Sequence, residues 1–388
     1  MEAPRPAAWS PDSLRECGGD RVKRSSTSRT DNDGAVQRTT IRTLVGQCEV
    51  LFRAEGKFTF TADFTDIATV ARGGEVMVEV DYGHRARRLE IRRGDGAGGL
   101  EREYTVDRAV RPFDAEARAW LAETLTFLLR RSGLSAEQRA QWILERRGIT
   151  GLVDEIAQLQ SDYARRQYYQ TAVASGKLDP AGFERLVTRA GQEIESDYEL
   201  AELLIEVARQ QPLTAGLQAG FVAAARTIDS DYERRRVLDV ALGRPGLTTE
   251  VAAGMLGAAG EIDSDYELAE LLIKLQRARP IDDALRPAYF TAVNTIQSDY
   301  EHRRVLGALL DQRELSGPVL AATLESARAI RSDFELAELL VAVARRHRID
   351  ASLRPAFEEA ANTIGSSYEN DRVMAALARS QGRSPERQ

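Results

Sequence analysis

From about Thr39 to Asp107 apolar and polar side chains alternate one by one. In Glu75–Tyr82, Val76, Val78, Val80 and Tyr82 share one parity while Glu75, Glu79 and Asp81 take the other. Successive side chains of a strand point to opposite faces, so this pattern predicts a half-buried strand. Leu89 and Ile91 follow the same rule with Arg88, Glu90 and Arg92 facing away, and Leu100, Tyr104 and Val106 continue it past the Gly94–Gly99 loop. With Thr40–Val45, Glu49–Ala54 and Lys57–Thr61, the pattern predicts an antiparallel meander of six short strands. At Pro112 the period becomes helical. Asp114 supplies an N-cap, Phe113 a staple before it, and Ala117, Trp120, Leu121, Thr124, Leu125 and Leu128 one apolar stripe. Two more helices are expected, over 135–147 and 150–159.

Beyond residue 160 a motif recurs. Ser-Asp-Tyr begins at Ser161, Ser196, Ser230, Ser264 and Ser298, then varies to Ser332-Asp333-Phe334 and Ser366-Ser367-Tyr368, at steps of 35 and then 34 residues. A fixed period of this length marks stacked supersecondary units. A glutamate stands three residues after each serine at Glu199, Glu233, Glu267, Glu301, Glu335 and Glu369, with Ala164 in the first unit. Ser-x-x-Glu is expected to act as a capping box, the hydroxyl accepting from the third amide and the carboxylate reaching back to the serine amide. The intervening aspartate adds negative charge at the positive end of the helix dipole. Each serine therefore starts a helix, A, whose apolar face follows at positions +7, +8 and +11, as in Leu203, Leu204 and Val207.

Helix-start signals for a second helix, B, follow at Asp179-Pro180, Pro212 before Thr214, Thr248, Pro280 before Asp282, and Ser316 before Pro318. Helix B ends in an apolar residue two before the next serine, from Leu159 through Ile194, Ile228, Ile262, Ile296 and Ile330 to Ile364. So short a turn makes the two helices antiparallel. Ser135 and Gln138, with Trp142 and Ile143 at +7 and +8, read as a degenerate first unit, and the last unit holds helix A alone, suited to cap the stack.

Alternate units differ. Those at 196, 264 and 332 read Glu-Leu-Ala-Glu-Leu-Leu after the aromatic, whereas those at 230, 298 and 366 carry Arg234–Arg236, His302–Arg304 and Asn370–Arg372. The full repeat is thus a pair of 68 residues, and Glu202 is expected to pair with the Arg234–Arg236 cluster and Glu270 with Arg303–Arg304.

Composition alters little. The 388 residues carry a net charge of −7, 43% apolar and 29% charged residues, as an ordinary globular chain does. That balance argues against binding nucleic acid through bulk charge. Residues 1–36, rich in Ser, Arg, Asp, Gly and Pro, are expected to be disordered, and they lack the apolar core of a signal peptide. No apolar run is long enough to span a membrane. The chain as written therefore reads as cytoplasmic, or as extracytoplasmic should the true start lie upstream. Cys17 and Cys48 form no C-x-x-C pair; they read as free thiols, with a disulfide as the alternative in an exported protein.

Sharper chemical readings are weaker. An active site is rarely copied seven times, so the recurring motif reads as capping and packing. The aromatic ladder Tyr163, Tyr198, Tyr232, Tyr266, Tyr300, Phe334 and Tyr368 has two readings: packing between units, which Phe334 favours by keeping the ring without the hydroxyl, or the lining of a groove. His84, His302 and His347 lie far apart and form no zinc motif, and Gly94–Gly99 lacks the Gly-Lys-Ser/Thr of a phosphate loop. Arg85, Arg87, Arg88, Arg92 and Arg93 form a strip read as a solvated sheet edge, or alternatively as an anion site. No catalytic, metal or cofactor residue is assigned.

The expected fold is α+β and multidomain. A tail at 1–36 precedes an antiparallel β domain at 37–110, a helical connector at 111–160, a right-handed α-solenoid of two-helix 34-residue repeats at 161–380, and a tail at 381–388. The period resembles tetratricopeptide units without their signature residues, and HEAT-like stacks in logic. Over residues 45–380, the run Phe60-Thr61-Ala62-Asp63-Phe64-Thr65-Asp66-Ile67, then Phe113-Asp114-Ala115-Glu116-Ala117-Arg118-Ala119-Trp120-Leu121, then the Ile-x-Ser-Asp-Tyr units resemble uncharacterised bacterial regions. These occur alone or joined to antirepressor-type membrane zinc peptidases. The resemblance implies an interaction or sensing module, and it carries over no catalytic residue. The expected function is a non-enzymatic scaffold binding a protein or peptide on exposed positions of the B helices. The alternative is a regulatory ectodomain of a bacterial envelope signalling system.

Overall fold

The computed structural model describes residues 27–33, 36–94, 99–210, 215–312 and 315–381. The remaining stretches of the two expected tails, 1–26, 34–35 and 382–388, lie outside the described residues, as do the centre of the Gly94–Gly99 loop and the Thr214 helix start. The chain divides into two compact units between Lys177 and Leu178.

Among its described residues the first unit opens with nine strands: β1 (Thr27–Asp33), β2 (Val36–Val45), β3 (Cys48–Glu55), β4 (Phe58–Phe60), β5 (Ile67–Val70), β6 (Glu75–Asp81), β7 (Ala86–Arg93), β8 (Leu100–Val106) and β9 (Ala109–Arg111). Seven form one antiparallel sheet in the order β1-β2-β3-β6-β7-β8-β9, and β4 and β5 pair as a separate ribbon. The period-two reading gives the correct faces. Ile41, Val50, Phe52, Val76, Val78, Val80, Leu89, Ile91 and Tyr104 are all buried. They form one cluster with Trp120, Leu121, Leu125 and Leu128 of helix α1 (Ala115–Ser132). Each large aliphatic side chain so buried stabilises the unit by roughly 1.5–3 kcal/mol.

Three strands are absent from the six expected. The sequence of β1, Thr-Ser-Arg-Thr-Asp-Asn-Asp, has no apolar alternation and falls in the stretch read as disordered, yet it pairs with β2 from Thr27↔Arg42 to Asp33↔Val36. An edge strand needs only its backbone bonds, which leave no mark on side-chain pattern. Likewise β5 and β9 are too short to show a period.

The opposite face of the sheet is laced by cross-strand ion pairs. Arg42 meets Glu49 at 2.6 Å, Arg38 meets Glu55 at 3.4 Å, Arg92 meets Glu75 at 2.9 Å and Arg88 meets Glu79 at 3.9 Å. The arginine strip is therefore no sheet edge, because β7 lies between β6 and β8. Arg88 and Arg92 are matched by carboxylates of β6 and β7, and Arg87 turns to Glu116.

Asp114 caps α1 by accepting from the Ala117 amide, and Gly133 ends it at φ 68°. A Cβ on Gly133 would stand 2.7 Å from Cδ1 of Tyr163, so both backbone and space call for glycine there. Ser135 does not repeat the capping box. It sits at φ 53° immediately after that left-handed turn, and its hydroxyl makes no cap bond. The two helices expected next are both present within α2 (Ala136–Ile156), which is broken at Gly148, where φ is 68° and ψ −170°. The first Ser-Asp-Tyr helix, α3 (Asp162–Ala174), packs against α1 and α2, so the unit boundary lies 17 residues beyond the expected one at 160/161. The free-thiol reading is also overturned. Cys48 is buried where the tight β2–β3 turn ends and is disulfide-bonded, while Cys17 lies outside the described residues.

Among its described residues the second unit holds twelve further helices. The B helices are α4 (Pro180–Glu193), α6 (Ala215–Arg226), α8 (Thr249–Ala259), α10 (Arg286–Val293), α12 (Gly317–Ala327) and α14 (Arg354–Ala361). The A helices are α5 (Asp197–Gln210), α7 (Asp231–Leu242), α9 (Asp265–Ala278), α11 (Asp299–Leu309), α13 (Asp333–Arg346) and α15 (Ser367–Gln381). Each A helix packs chiefly on the A helices one repeat away, and each B helix on B helices, so the repeats stack in two layers. The A face is as read: Leu203, Leu204, Val207, Val237, Leu238, Val305, Leu306 and Leu309 are all essentially inaccessible to solvent. The isoleucines before each serine, Ile194 to Ile364, are buried with them. Asp179, Thr248 and Ser316 cap their B helices as expected. At Asp282 the helix starts a turn late, because its carboxylate closes a turn on the Ala284 and Leu285 amides and α10 begins only at Arg286.

Candidate functional site

The start of each A helix is where sequence, geometry and exposure converge. Each serine hydroxyl accepts from the amide three residues on, at 3.3–3.4 Å from Ser161 through Ser366. That half of the capping box is as expected. The reciprocal half is not. From Ser230 to Ser366 the serine amide donates instead to the aspartate of the preceding repeat. Ser230 N reaches Asp197 Oδ2 at 2.7 Å, Ser264 N reaches Asp231 at 2.8 Å, Ser298 N reaches Asp265 at 2.7 Å, Ser332 N reaches Asp299 at 2.9 Å and Ser366 N reaches Asp333 at 2.8 Å. The other oxygen of each aspartate accepts the amide just before that serine, at 3.0–3.2 Å. One carboxylate thus holds two amides of the next repeat's turn, a charge-assisted clamp that cannot tolerate a change of period. Ser367 stands in the aspartate's place in the unit that begins at Ser366.

Displaced from the serine amide, the glutamates take arginines. Arg236 bonds Glu233 at 2.6 Å and reaches back to Glu202 at 2.5 Å; Arg304 does the same with Glu301 at 2.5 Å and Glu270 at 2.6 Å, and Arg372 with Glu369 and Glu338, both at 2.5 Å. Arg235 and Arg303 reach forward to Glu267 and Glu335. The pairing expected from the two-unit alternation is present, but only one arginine of each cluster makes it. Arg234 is buried and donates to the carbonyls of Ile228 and Glu261.

His302 occupies the position of Arg234 one pair later. It is buried against Ser326 Oγ at 2.8 Å, and that hydroxyl donates to Asn294 Oδ1 at 2.6 Å. Burial pushes the imidazole down to about 4, against the smaller opposing pull of Asp299 and Asp265. An unfolded chain binds this proton from about pH 6.5 downward while the folded one refuses it. Stability should therefore fall as pH drops from 6.5 to 4 and level off below, by up to about 3 kcal/mol. Urea midpoints measured across that range should lose this slope in His302→Gln; an identical slope in the variant refutes the assignment.

The rings of the aromatic ladder are only partly covered: the seven are 46–70% exposed, from Tyr163 to Tyr368. Each ring stands two residues after its capping serine, on the first turn of helix A, whose core-facing positions begin only two residues later, as with Leu200 after Tyr198. Guanidinium groups flank several rings: Arg235 lies 5.4 Å from the Tyr232 centroid, Arg236 6.0 Å from both Tyr198 and Tyr232, and Arg303 5.3 Å from Tyr300. Among the described residues these seven are nearly all of the large exposed apolar side chains, Val110 and Met374 being the others. Such recurrence on the A helices, and not on the B helices where contact was expected, makes the ladder the candidate site. The six rings from Tyr198 to Tyr368 lie in the second unit and Tyr163 in the first. The signal was in the sequence, since an aromatic at +2 falls off the +7, +8, +11 stripe.

No family model, curated relative or solved structure matches the chain. No helix among the described residues is long and apolar enough to cross a membrane.

Proposed function

We propose that the chain is a non-enzymatic scaffold that binds a protein or peptide along the aromatic ladder of its repeat stack. The observation that carries this reading is the exposure of one ring per repeat in a stack that otherwise buries its large apolar side chains. Aromatic rings supply contact area at small cost in side-chain entropy and dominate binding hot spots. Repeat stacks present long surfaces made from one side chain per unit. The regular charge network beneath the rings fixes their spacing, which favours recognition over adaptable contact.

Because the rings are half in solvent, Tyr232→Ser with Tyr266→Ser should lower stability by only about 1–3 kcal/mol and leave the repeat unit folded. Capture of partners from a lysate of the native cell should nevertheless fall at least tenfold against the unaltered chain. Equal capture by both proteins would remove the ladder from the function.

A regulatory ectodomain of a bacterial envelope system is the second reading, and the disulfide at Cys48 favours it, since such bonds persist mainly in oxidising compartments. There, the resemblance to regions joined to membrane zinc peptidases would make the partner an envelope protein.

A further inference from the structure

The ladder constrains the chemistry of what it binds, and three features bear on it. The first is pitch. Neighbouring A helices pack directly, which sets successive rings roughly 8–10 Å apart. A polyproline II helix turns once in about 9 Å, presenting every third side chain on one face. An extended strand repeats a face every ~7 Å and misses this spacing.

The second is the state of the backbone. The turn amides beside the rings are occupied by the aspartates of the preceding repeats, Ser264 N by Asp231 and Ser298 N by Asp265 among them. These amides are therefore not free to pair with the backbone of a bound peptide. Polyproline II needs none. A partner helix would need several apolar rows to receive its face, and the ladder is a single row.

The third is charge. Between Glu195 and Glu270 the sequence holds fifteen carboxylates against six basic side chains, two of which, Arg235 and Arg236, stand beside the Tyr198 and Tyr232 rings and are already paired with glutamates. Asp229 and Asp263 are exposed, and their amides are bonded to Asp197 and Asp231, the residues just before Tyr198 and Tyr232. Two exposed acidic residues thus lie on the turns whose backbone is held beside Tyr198 and Tyr232.

Resting on the scaffold reading above, we infer that the ladder binds a proline-rich segment in the polyproline II conformation with a basic residue in each turn. Prolyl rings lie on Tyr198, Tyr232 and Tyr266, and the basic side chains meet Asp229 and Asp263.

The test is fluorescence anisotropy of the full chain with a labelled peptide of five Pro-Pro-Arg triplets. Controls are five Gly-Gly-Arg triplets, equal in charge but flexible, and five Pro-Pro-Glu triplets. The expected result is binding at least tenfold tighter for Pro-Pro-Arg than for either control. It should weaken at least tenfold in Tyr232→Ala with Tyr266→Ala, and again in Asp229→Lys with Asp263→Lys, with the repeat unit still folded. Equal affinity for Pro-Pro-Arg and Gly-Gly-Arg, or unchanged affinity in the tyrosine variant, overturns the inference. A photocrosslinker at Tyr266→benzoylphenylalanine separates the two levels. Crosslinks in the native cell to proteins lacking proline-rich segments overturn the inference and leave the scaffold standing; no crosslink to any protein, with no peptide binding, overturns both.

Discussion

Replacing Asp231 and Asp265 together by alanine should lower the stability of the repeat unit by about 4 kcal/mol and broaden its unfolding transition. Each carboxylate accepts two amides of the following turn, and hydrogen bonds to a charged group contribute roughly 1.5–3 kcal/mol before allowance for partial exposure. One clamp is therefore worth about 2 kcal/mol, since one of its two amides faces solvent. The loss is concentrated at two successive interfaces. The stability of a repeat stack is close to a sum of unit terms and nearest-neighbour terms, so weakening two junctions uncouples what lies on either side. Urea unfolding followed by circular dichroism should show a lower midpoint and a shallower slope, and the Ser264 and Ser298 amides should exchange hydrogen much faster. Asp231→Asn with Asp265→Asn should lose about half as much, because an amide still accepts through its one oxygen. A midpoint within error of the unaltered chain for the alanine pair would remove the aspartates from any structural role.

The first unit has its own dependence on a single carboxylate. Glu155 is buried and accepts from Arg130 Nε at 2.7 Å, Arg130 Nη2 at 2.9 Å and Arg139 Nη2 at 2.8 Å, while Arg139 Nη1 donates to the Tyr168 hydroxyl at 2.7 Å. Glu155→Ala strands two guanidinium groups, one of them buried, and should cost about 3–5 kcal/mol. Arg139→Met with Glu155→Leu should cost less, since it removes buried charge of both signs. The pH dependence follows from the same geometry. Burial works to raise the Glu155 carboxyl, but the hydrogen bonds and charges of Arg130 and Arg139 outweigh it and hold it below its ordinary value. For a depressed carboxylate the stabilisation is complete above the unfolded pKa of about 4.3 and is lost as pH falls through the lower folded value. Thermal melts of Glu155→Gln and the unaltered chain should differ widely at pH 7 and converge in strong acid. A constant gap at all pH values would show that packing, not charge, is what the carboxylate supplies.

Much of this architecture was legible because it rests on side-chain periods. The parity of Val76, Val78 and Val80 named the inner face of the sheet, and the stripe from Ala117 to Leu128 named the helix that covers it. The serines at 34-residue steps located every A helix, since a hydroxyl that accepts the third amide is a local event written in local sequence. What stayed hidden is what adjacent residues do to distant ones. Ser-x-x-Glu predicts a closed capping box within one helix, but the aspartate 33 residues earlier binds the serine amide in place of the glutamate. Strand β1 was invisible for a related reason: its sequence carries no apolar alternation to mark the pairing with β2. The ladder was legible as a row of rings, but its two readings could not be told apart from residue type, because a half-exposed ring needs no hydroxyl any more than a packed one does.

The alternation of arginine-bearing and glutamate-bearing A helices sets a unit of inheritance larger than the helix pair. Excising or duplicating 68 residues leaves every junction with the partner it already has. Removing a single helix pair would bring two like-charged surfaces together, for example Glu202 opposite the helix that carries Glu270 where Arg236 had stood. Such arrays should therefore grow and shrink by twos, with lengths that descend in double steps.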